Sequence, residues 1–317
     1  MSDRVGLVLD PVFERHVTGP GHPERPERAA RIRERLESSG LAARCVRVPL
    51  EEADEALLTL VHDRDYVRRI RETCERGRTV LDTEDTTACP ESPRVARLAA
   101  GSLYALCREV ASGHLARGFA VVRPPGHHAE RDVAMGFCMY NNVAVAAAAV
   151  RAHHGIERVA IVDWDVHHGN GSQHLFEGDP AVFYFSVHQW PLYPGTGRAT
   201  ERGRGAGVGA TLNCPIPPGS GDDEYLAALC DRWVPAMREF RPEFVLVSAG
   251  FDPHAADPLA QLRVTTPAFA EATRIVRQIA DRHAHGRVVS ALEGGYDLDA
   301  LADCAETHLQ AMLAPAV

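Results

Sequence analysis

The 317-residue chain contains no lysine; all 34 of its basic residues are arginine, and an Arg- and Ala-rich coding bias accounts for this. No run approaches the roughly 18 consecutive apolar residues of a membrane span, so a chain-spanning membrane role is not expected. Eight cysteines (Cys45, Cys74, Cys89, Cys107, Cys138, Cys214, Cys230 and Cys304) form no Cys-x-x-Cys pair. That argues against a cysteine-based zinc site and for reduced thiols. Net charge is −9 with no basic stripe, which argues against direct nucleic-acid binding. After Met1-Ser2-Asp3-Arg4, only five apolar or small residues precede Asp10, too few for the apolar core of a signal peptide. A cytoplasmic location is therefore expected. There is no low-complexity segment and no internal repeat.

What is present is the balance of a globular protein, 45% hydrophobic and 24% charged. Short apolar runs at Val5–Leu9, Phe119–Val122, Val159–Val162, Val182–Val187, Phe244–Ser248 and Val288–Leu292 read as strands. Several are almost wholly apolar, as parallel strands covered on both faces are. Helical spacing is expected over Glu24–Ser39, Pro93–Ser112, Tyr140–His153, Asp223–Glu239, Thr266–Ala284 and Leu298–Leu313. Pro194–Gly219, rich in Gly, Pro and Arg, reads as a long surface loop. This alternation predicts one α/β domain over residues 1–317, with a central, mainly parallel sheet flanked by helices on both faces.

Polar residues follow the strands in a repeated way. Arg123-Pro124-Pro125-Gly126-His127-His128 follows the second run, and Asp163-Trp164-Asp165-Val166-His167-His168-Gly169-Asn170-Gly171 the third. His188, Asp252 with His254, and Glu293-Gly294-Gly295-Tyr296 follow the next three. In open α/β sheets, ligands bind beyond the carboxyl ends of the strands. Five strands thus aim titratable groups at one rim.

Asp and His are good zinc ligands, and a catalytic site uses three protein ligands and leaves room for water. Asp165 and His167 supply two, and Asp252 the third. If the segment stays extended, Asp163, Asp165 and His167 share one side. Asp163 is better placed to hold another group, or a monovalent cation through its backbone. Neighbouring His127 and His128 point apart on an extended segment and suit acid–base work, since imidazole titrates near neutral pH. His153-His154, by contrast, reads as a solvated helix end. The Tyr296 phenol is either an oxyanion donor or a packed aromatic near a turn.

These strings, with Gly136-Phe137-Cys138, Ser248-Ala249-Gly250-Phe251-Asp252 and the loop Gly19–Arg28, resemble the zinc histone deacetylase and acetylpolyamine amidohydrolase superfamily, in a class II-like, bacterial flavour. The resemblance implies an arginase/deacetylase-type fold and Zn²⁺ on Asp165, His167 and Asp252. It implies His128 as general base, His127 as second histidine with Asp163 as its partner, and Tyr296 as the tyrosine that polarises the acyl carbonyl. Gly136, Phe137 and Tyr193 line the acyl-lysine channel, Tyr193 standing where Phe is more usual. An inner K⁺ or Na⁺ falls on Asp163, Asp165, His167, Ser186 and Val187, partly through backbone oxygens. Asn170 stands where class I members have an Asp behind the base. Asn orients an imidazole but does not stabilise its protonated form as a carboxylate does.

The activity implied is removal of short acyl groups from acyl-lysine in proteins or peptides, and an enzyme with such substrates gains from having no lysine. The alternatives are hydrolysis of acetylpolyamines or other small acylamides, and a catalytically silent zinc-binding module. The last is disfavoured because every expected catalytic side chain is present. Leu259 falls near the pocket rim, where polyamine-selective relatives place an acidic residue. Asp85 is either a rim residue for a substrate backbone or ammonium, or a turn cap. Expected partners are the acylated substrate alone, without nucleic acid or membrane; an oligomer is compatible with the sequence.

Overall fold

A computed structural model describes residues 4–315, so Met1–Asp3, part of the N-terminal reading above, lie outside the described residues. Eight strands are present: β1 (Val5–Leu9), β2 (Val46–Arg47), β3 (Arg117–Val121), β4 (Val159–Asp163), β5 (Val182–Gln189), β6 (Thr211–Ile216), β7 (Phe244–Ala249) and β8 (Val288–Leu292). All pair in parallel in one sheet of order β2-β1-β3-β8-β7-β4-β5-β6. The helices are α1 (Glu27–Ser38), α2 (Glu55–Leu58), α3 (Arg64–Glu75), α4 (Ser92–Ala111), α5 (Asn142–His154), α6 (Asn170–Phe176), α7 (Asp222–Ala227), α8 (Val234–Phe240), α9 (Thr266–His283) and α10 (Leu298–Leu313).

The apolar strands have two covered faces. Along β4, Ala160 and Val162 join the core under α1, α9 and α10, together with Trp233 and Met237. Val159 and Ile161 join the core under α3, α4 and α5. Successive residues of a strand point to opposite faces, so a fully apolar run serves both layers. Burying each large aliphatic or aromatic side chain there contributes about 1.5–3 kcal/mol.

Helix ends follow local chemistry. The Asn141 side chain caps α5 by accepting from the Ala144 N–H at 3.0 Å, and Gly155 ends that helix with φ +64°. Asp297 caps α10 in the same way, accepting from the Ala300 N–H at 2.9 Å. Such caps satisfy amide groups that a helix start leaves without partners.

Three expectations need correction. Pro194–Gly219 is not all loop, because Thr211–Ile216 pairs with β5 as an edge strand. Pro215 hides it in the sequence, yet proline is tolerated on an edge. The stretch 223–239 is not one regular helix: a π-helical segment, Ala228–Trp233, separates α7 from α8. Helix α3 and the short β2 were not anticipated. Nor do the short helices α2 and α6 fall in any expected span, whereas α1, α4, α5, α9, α10 and the remaining strands lie within a few residues of theirs.

Candidate active site

The rim groups come from β3, β8, β7, β4 and β5, which are adjacent in the sheet. The chain does not stay extended after β4, which ends at Asp163. It bends because side chains capture neighbouring amides: Asp163 Oδ1 accepts from the Asp165 N–H at 3.3 Å, and Asp165 Oδ1 from the His167 N–H at 2.9 Å. The sidedness still holds, since Trp164 and Val166 enter the apolar core.

Asp165, His167 and Asp252 present ligand atoms within 4.8 Å of one another, all buried, and could hold a metal ion. His167 Nδ1 lies 3.0 Å from Asp165 Oδ1 and 3.2 Å from Asp252 Oδ2. Two carboxylates thus converge on one imidazole nitrogen. Burial, reinforced by the Asp165 charge, pushes Asp252 up to about 7. Burial alone would lower His167, but its hydrogen bond to Asp165 and the charges of Asp252 and Asp165 lift it to about 10. Both shifts describe a site short of positive charge. Asp252 Oδ1 accepts from the Val166 N–H at 2.9 Å, while Oδ2 is buried without a hydrogen-bond partner. A buried carboxylate oxygen left without a donor is costly, and a cation at that point relieves it. Glycine keeps the space open: a Cβ on Gly250 would stand 2.1 Å from Asp165 Oδ2, and one on Gly294 2.1 Å from Asp252 Oδ2. The donor set, the orphan oxygen and these two glycines fit a divalent metal.

The paired histidines are tuned apart. His127 Nδ1 lies 3.0 Å from Asp163 Oδ2. Burial lowers it, yet Asp163 and then Asp165 outweigh that and raise it to about 10. His128 is held well below its ordinary value by burial and by the neighbouring His127 and His167. Its Nδ1 faces Asn170 Oδ1 at 2.7 Å. The arrangement therefore offers one imidazolium and one neutral imidazole, the pairing needed by an acid and a base acting together.

Tyr296 is set by three contacts. Its N–H donates to Asp257 Oδ2 at 2.7 Å, its ring lies 4.9 Å from the Arg28 guanidinium carbon, and Phe137 meets it edge-on at 5.9 Å. Tyr193 stands perpendicular to His128 at 5.1 Å, with 39% of its surface exposed. Phe137 adopts φ +68°, a strained conformation for a non-glycine residue, beside Gly136 at φ +57°. Leu259 is partly exposed, its N–H donating at 3.0 Å to Oδ1 of Asp257, the residue that also holds the Tyr296 amide. Asp85 is a turn residue, its Oδ1 accepting from Thr86 at 2.9 Å, and its negative charge adds to burial in pushing the Tyr193 phenol up. Ser186 Oγ lies 2.8 Å from His188 Nδ1, and Val187 is buried beside it on β5.

Several motif residues stand apart. His168 bonds Thr196 at 2.8 Å and Gln173 at 2.9 Å. His254 lies 3.2 Å from Thr266 and His188 2.9 Å from the Gly197 carbonyl, so neither faces the metal cluster. His153 is exposed and His154 half-buried at the end of α5, as expected. All eight cysteines are free thiols.

The sequence reading missed the supports. Glu293 Oε2 accepts from the Gly126 and His127 amides at 2.6 and 3.2 Å, and its Oε1 from Ser248 at 3.0 Å. Glu24, fully buried, bridges Arg28 at 3.0 Å and Arg123 at 2.7 Å. Arg28 in turn donates to the Gly295 carbonyl at 2.6 Å and so anchors the turn before Tyr296. The only sequence signal was the unusual density of Arg and Glu in 24–28.

Comparison with known proteins agrees with this geometry. The family profile "Histone deacetylase domain" matches residues 22–312. The human protein named polyamine deacetylase HDAC10 is 43% identical over 92% of this chain, which spans 44% of that protein's length. The histone deacetylase-like amidohydrolase of Pseudomonas aeruginosa is 42% identical over 93% of this chain and 82% of its own length. The crystal structure of the HDA15 HD domain superposes with a TM-score of 0.93 at 36% identity, covering 98% of this chain and 89% of that one. The chain thus spans about half the length of some curated relatives and most of others.

Proposed function

Since the chain belongs to the histone deacetylase family, we propose that it is a zinc-dependent amidohydrolase removing acetyl or similar short acyl groups from acyl-lysine in proteins or peptides. The observation that carries this reading is the buried Asp165–His167–Asp252 cluster, with its orphan carboxylate oxygen, set beside one charged and one neutral histidine.

Zinc would be held by Asp165, His167 and Asp252, and when bound it supplies a positive charge that acidifies water and polarises an amide carbonyl. His128 accepts the proton of the attacking water. The Tyr296 hydroxyl donates to the oxygen that becomes negative as the acyl carbon turns tetrahedral. His127, kept positive by Asp163, delivers a proton to the leaving amine nitrogen. Asn170 orients His128. Gly136, Phe137 and Tyr193 enclose the alkyl stem of the substrate and keep water from it. The products are a free amine and a short carboxylate. By the same family resemblance, Asp163, Asp165, His167, Ser186 and Val187 would hold a K⁺ or Na⁺, partly through backbone oxygens, and the ion would supply a structural positive charge beneath the site. The cytoplasm as compartment is supported by the free thiols. No helix among the described residues is long and apolar enough to cross a membrane.

A second reading, hydrolysis of acetylpolyamines or other small acylamides, is favoured by the half-buried Asp85 carboxylate beside Tyr193, which suits a cationic amine. Leu259, where such selectivity calls for an acid, supports acyl-lysine instead. A panel assay of acetyl-, propionyl- and lactyl-lysine peptides against acetylated polyamines decides. A higher kcat/KM for peptides is expected, and a clear preference for polyamines rejects this choice.

A further inference from the structure

We propose that Glu130 is a positioning residue for His128: acting through Asn170, its carboxylate decides which ring nitrogen of His128 carries the proton. This rests on the reading of His128 as the base.

The connection is a chain of side chains running outward from the site. His128 Nδ1 lies 2.7 Å from Asn170 Oδ1. The Asn170 Nδ2 amide donates to Glu130 Oε1 at 2.5 Å. The same Oε1 lies 2.7 Å from Nδ1 of His174, a surface histidine on α6. Glu130 cannot drift, because its main chain is tied on both sides. Its N–H donates to the Val133 carbonyl at 3.0 Å. Its own carbonyl lies 2.9 Å from Nδ1 of buried His62, whose Nε2 accepts from the Asn141 N–H at 2.9 Å.

Donor and acceptor roles fix the orientation of each group in this chain. A carboxylate only accepts, so the edge of Asn170 that faces Glu130 must be its NH₂. The opposite edge is then the carbonyl oxygen, which also only accepts. His128 must therefore donate from Nδ1–H, which leaves Nε2 with its lone pair free to take a proton. Without Glu130 the Asn170 NH₂ keeps only two long contacts, to the His128 carbonyl and the Met135 sulfur, both at 3.4 Å, and these hold its orientation far more weakly. Rotated by half a turn, its NH₂ would donate to Nδ1 and move the ring proton to Nε2, where the imidazole no longer serves as a base. An Asp at position 170 would settle the matter directly. Here the negative charge sits one residue further out, and Asn170 transmits its demand. The Asn that departs from the class I pattern is thus half of a two-residue device.

The test is E130Q, which keeps the shape and removes the one-way demand, since an amide both donates and accepts. In the zinc-loaded protein with ¹⁵N-labelled imidazoles, His128 should show the Nδ1–H tautomer. In E130Q a Nε2–H population should appear. On acyl-lysine peptides, E130Q should lower kcat by roughly 10-fold, within the range seen when a partner behind an active-site ligand is lost, with KM nearly unchanged. N170D alone should also lose activity, because it sets a second carboxylate against Glu130. N170D/E130Q should recover most of it, since the introduced amide can donate to the introduced carboxylate. An unchanged His128 tautomer in E130Q, or losses that simply add in the double variant, would overturn the proposal. If E130Q melts early, the comparison of N170D with N170D/E130Q carries the test alone. A wild-type protein inactive on every acylamide would sink the functional reading, while the tautomer measurement would still decide the role of Glu130.

Discussion

Gly136 presses against the ring of His128 so closely that a methyl group on it would lie 2.3 Å from Cδ2. Its φ of +57° adds a second penalty for any side chain, about 1–2 kcal/mol. Gly136→Ala should therefore displace His128 as well as strain the turn. A misplacement of about 1 Å in a reacting group costs on the order of 100-fold in rate. We expect kcat to fall by that order with zinc content unchanged, as checked by steady-state kinetics and metal analysis. An unaltered kcat would show that the His128 ring is not needed where it stands.

Asp252 and Tyr296 should separate metal binding from turnover. Asp252→Ala removes the carboxylate whose Oδ2 has no other partner. Bound zinc should drop from about one per chain to near none, and hydrolysis with it. Tyr296→Phe leaves the edge-on Phe137 contact and the main-chain bond to Asp257 in place. It should keep its zinc and its melting temperature yet lose roughly 100- to 1000-fold in kcat, as loss of one oxyanion donor does. Full zinc in the first variant or a full rate in the second would remove that residue from its role.

The residues these variants touch were legible in the sequence because Asp, His and Tyr stood after apolar strands. What brings them together was not. The sequence pointed to Asp163, Asp165 and His167 by alternation, but the bend after β4 arises from carboxylates capturing the next amides. Glu24, Arg28 and Arg123 stand in recognisable motifs, but only the fold shows that they pair with one another in the interior. Glu130 lay two residues from His128 and passed unnoticed, since its partner Asn170 is 40 positions away. Helix α3 carries Tyr66, Val67, Ile70 and Cys74 on one face, a periodic signal masked by the Arg and Glu between them.

Substrate choice should turn on the partly exposed Leu259. Its backbone is fixed by Asp257, which also holds the Tyr296 amide, so the position is rigid relative to the tyrosine. Leu259→Glu places a carboxylate where a cationic amine can meet it. A hydrogen bond to a charged group contributes about 1.5–3 kcal/mol, or roughly 10-fold or more in affinity. The ratio of kcat/KM for acetylated polyamines over acetyl-lysine peptides should rise by at least that order. No change in the ratio would mean that Leu259 does not face the bound substrate.

Acid should destabilise the fold through His308 on α10, a buried ring that is not part of the metal-ligand cluster. The ring is wholly buried among Phe119, Trp164 and Phe251. Thr273 gives its hydroxyl proton to the Phe269 carbonyl at 2.6 Å, so it can only accept from His308 Nδ1 at 2.7 Å. Ser290, 2.7 Å from Nε2, then donates. Neutral imidazole is satisfied on both sides, and burial pulls the pKa from 6.5 down to about 3. The unfolded chain takes up a proton below its ordinary value of 6.5, whereas the folded chain refuses one until about 3. The unfolded state therefore binds more protons across that window, and stability falls as pH falls. The slope from this one residue is about 1.4 kcal/mol per pH unit, or about 2 kcal/mol between pH 6.5 and about pH 5. Urea unfolding of the wild type and His308→Gln from about pH 7 to about pH 5 isolates it from other titrating groups. The variant should start less stable at neutral pH, because glutamine does not refill the ring's volume, and should lose about one proton's worth less slope on acidification. Parallel curves for the two proteins would mean that His308 is already charged in the folded state, against its packing.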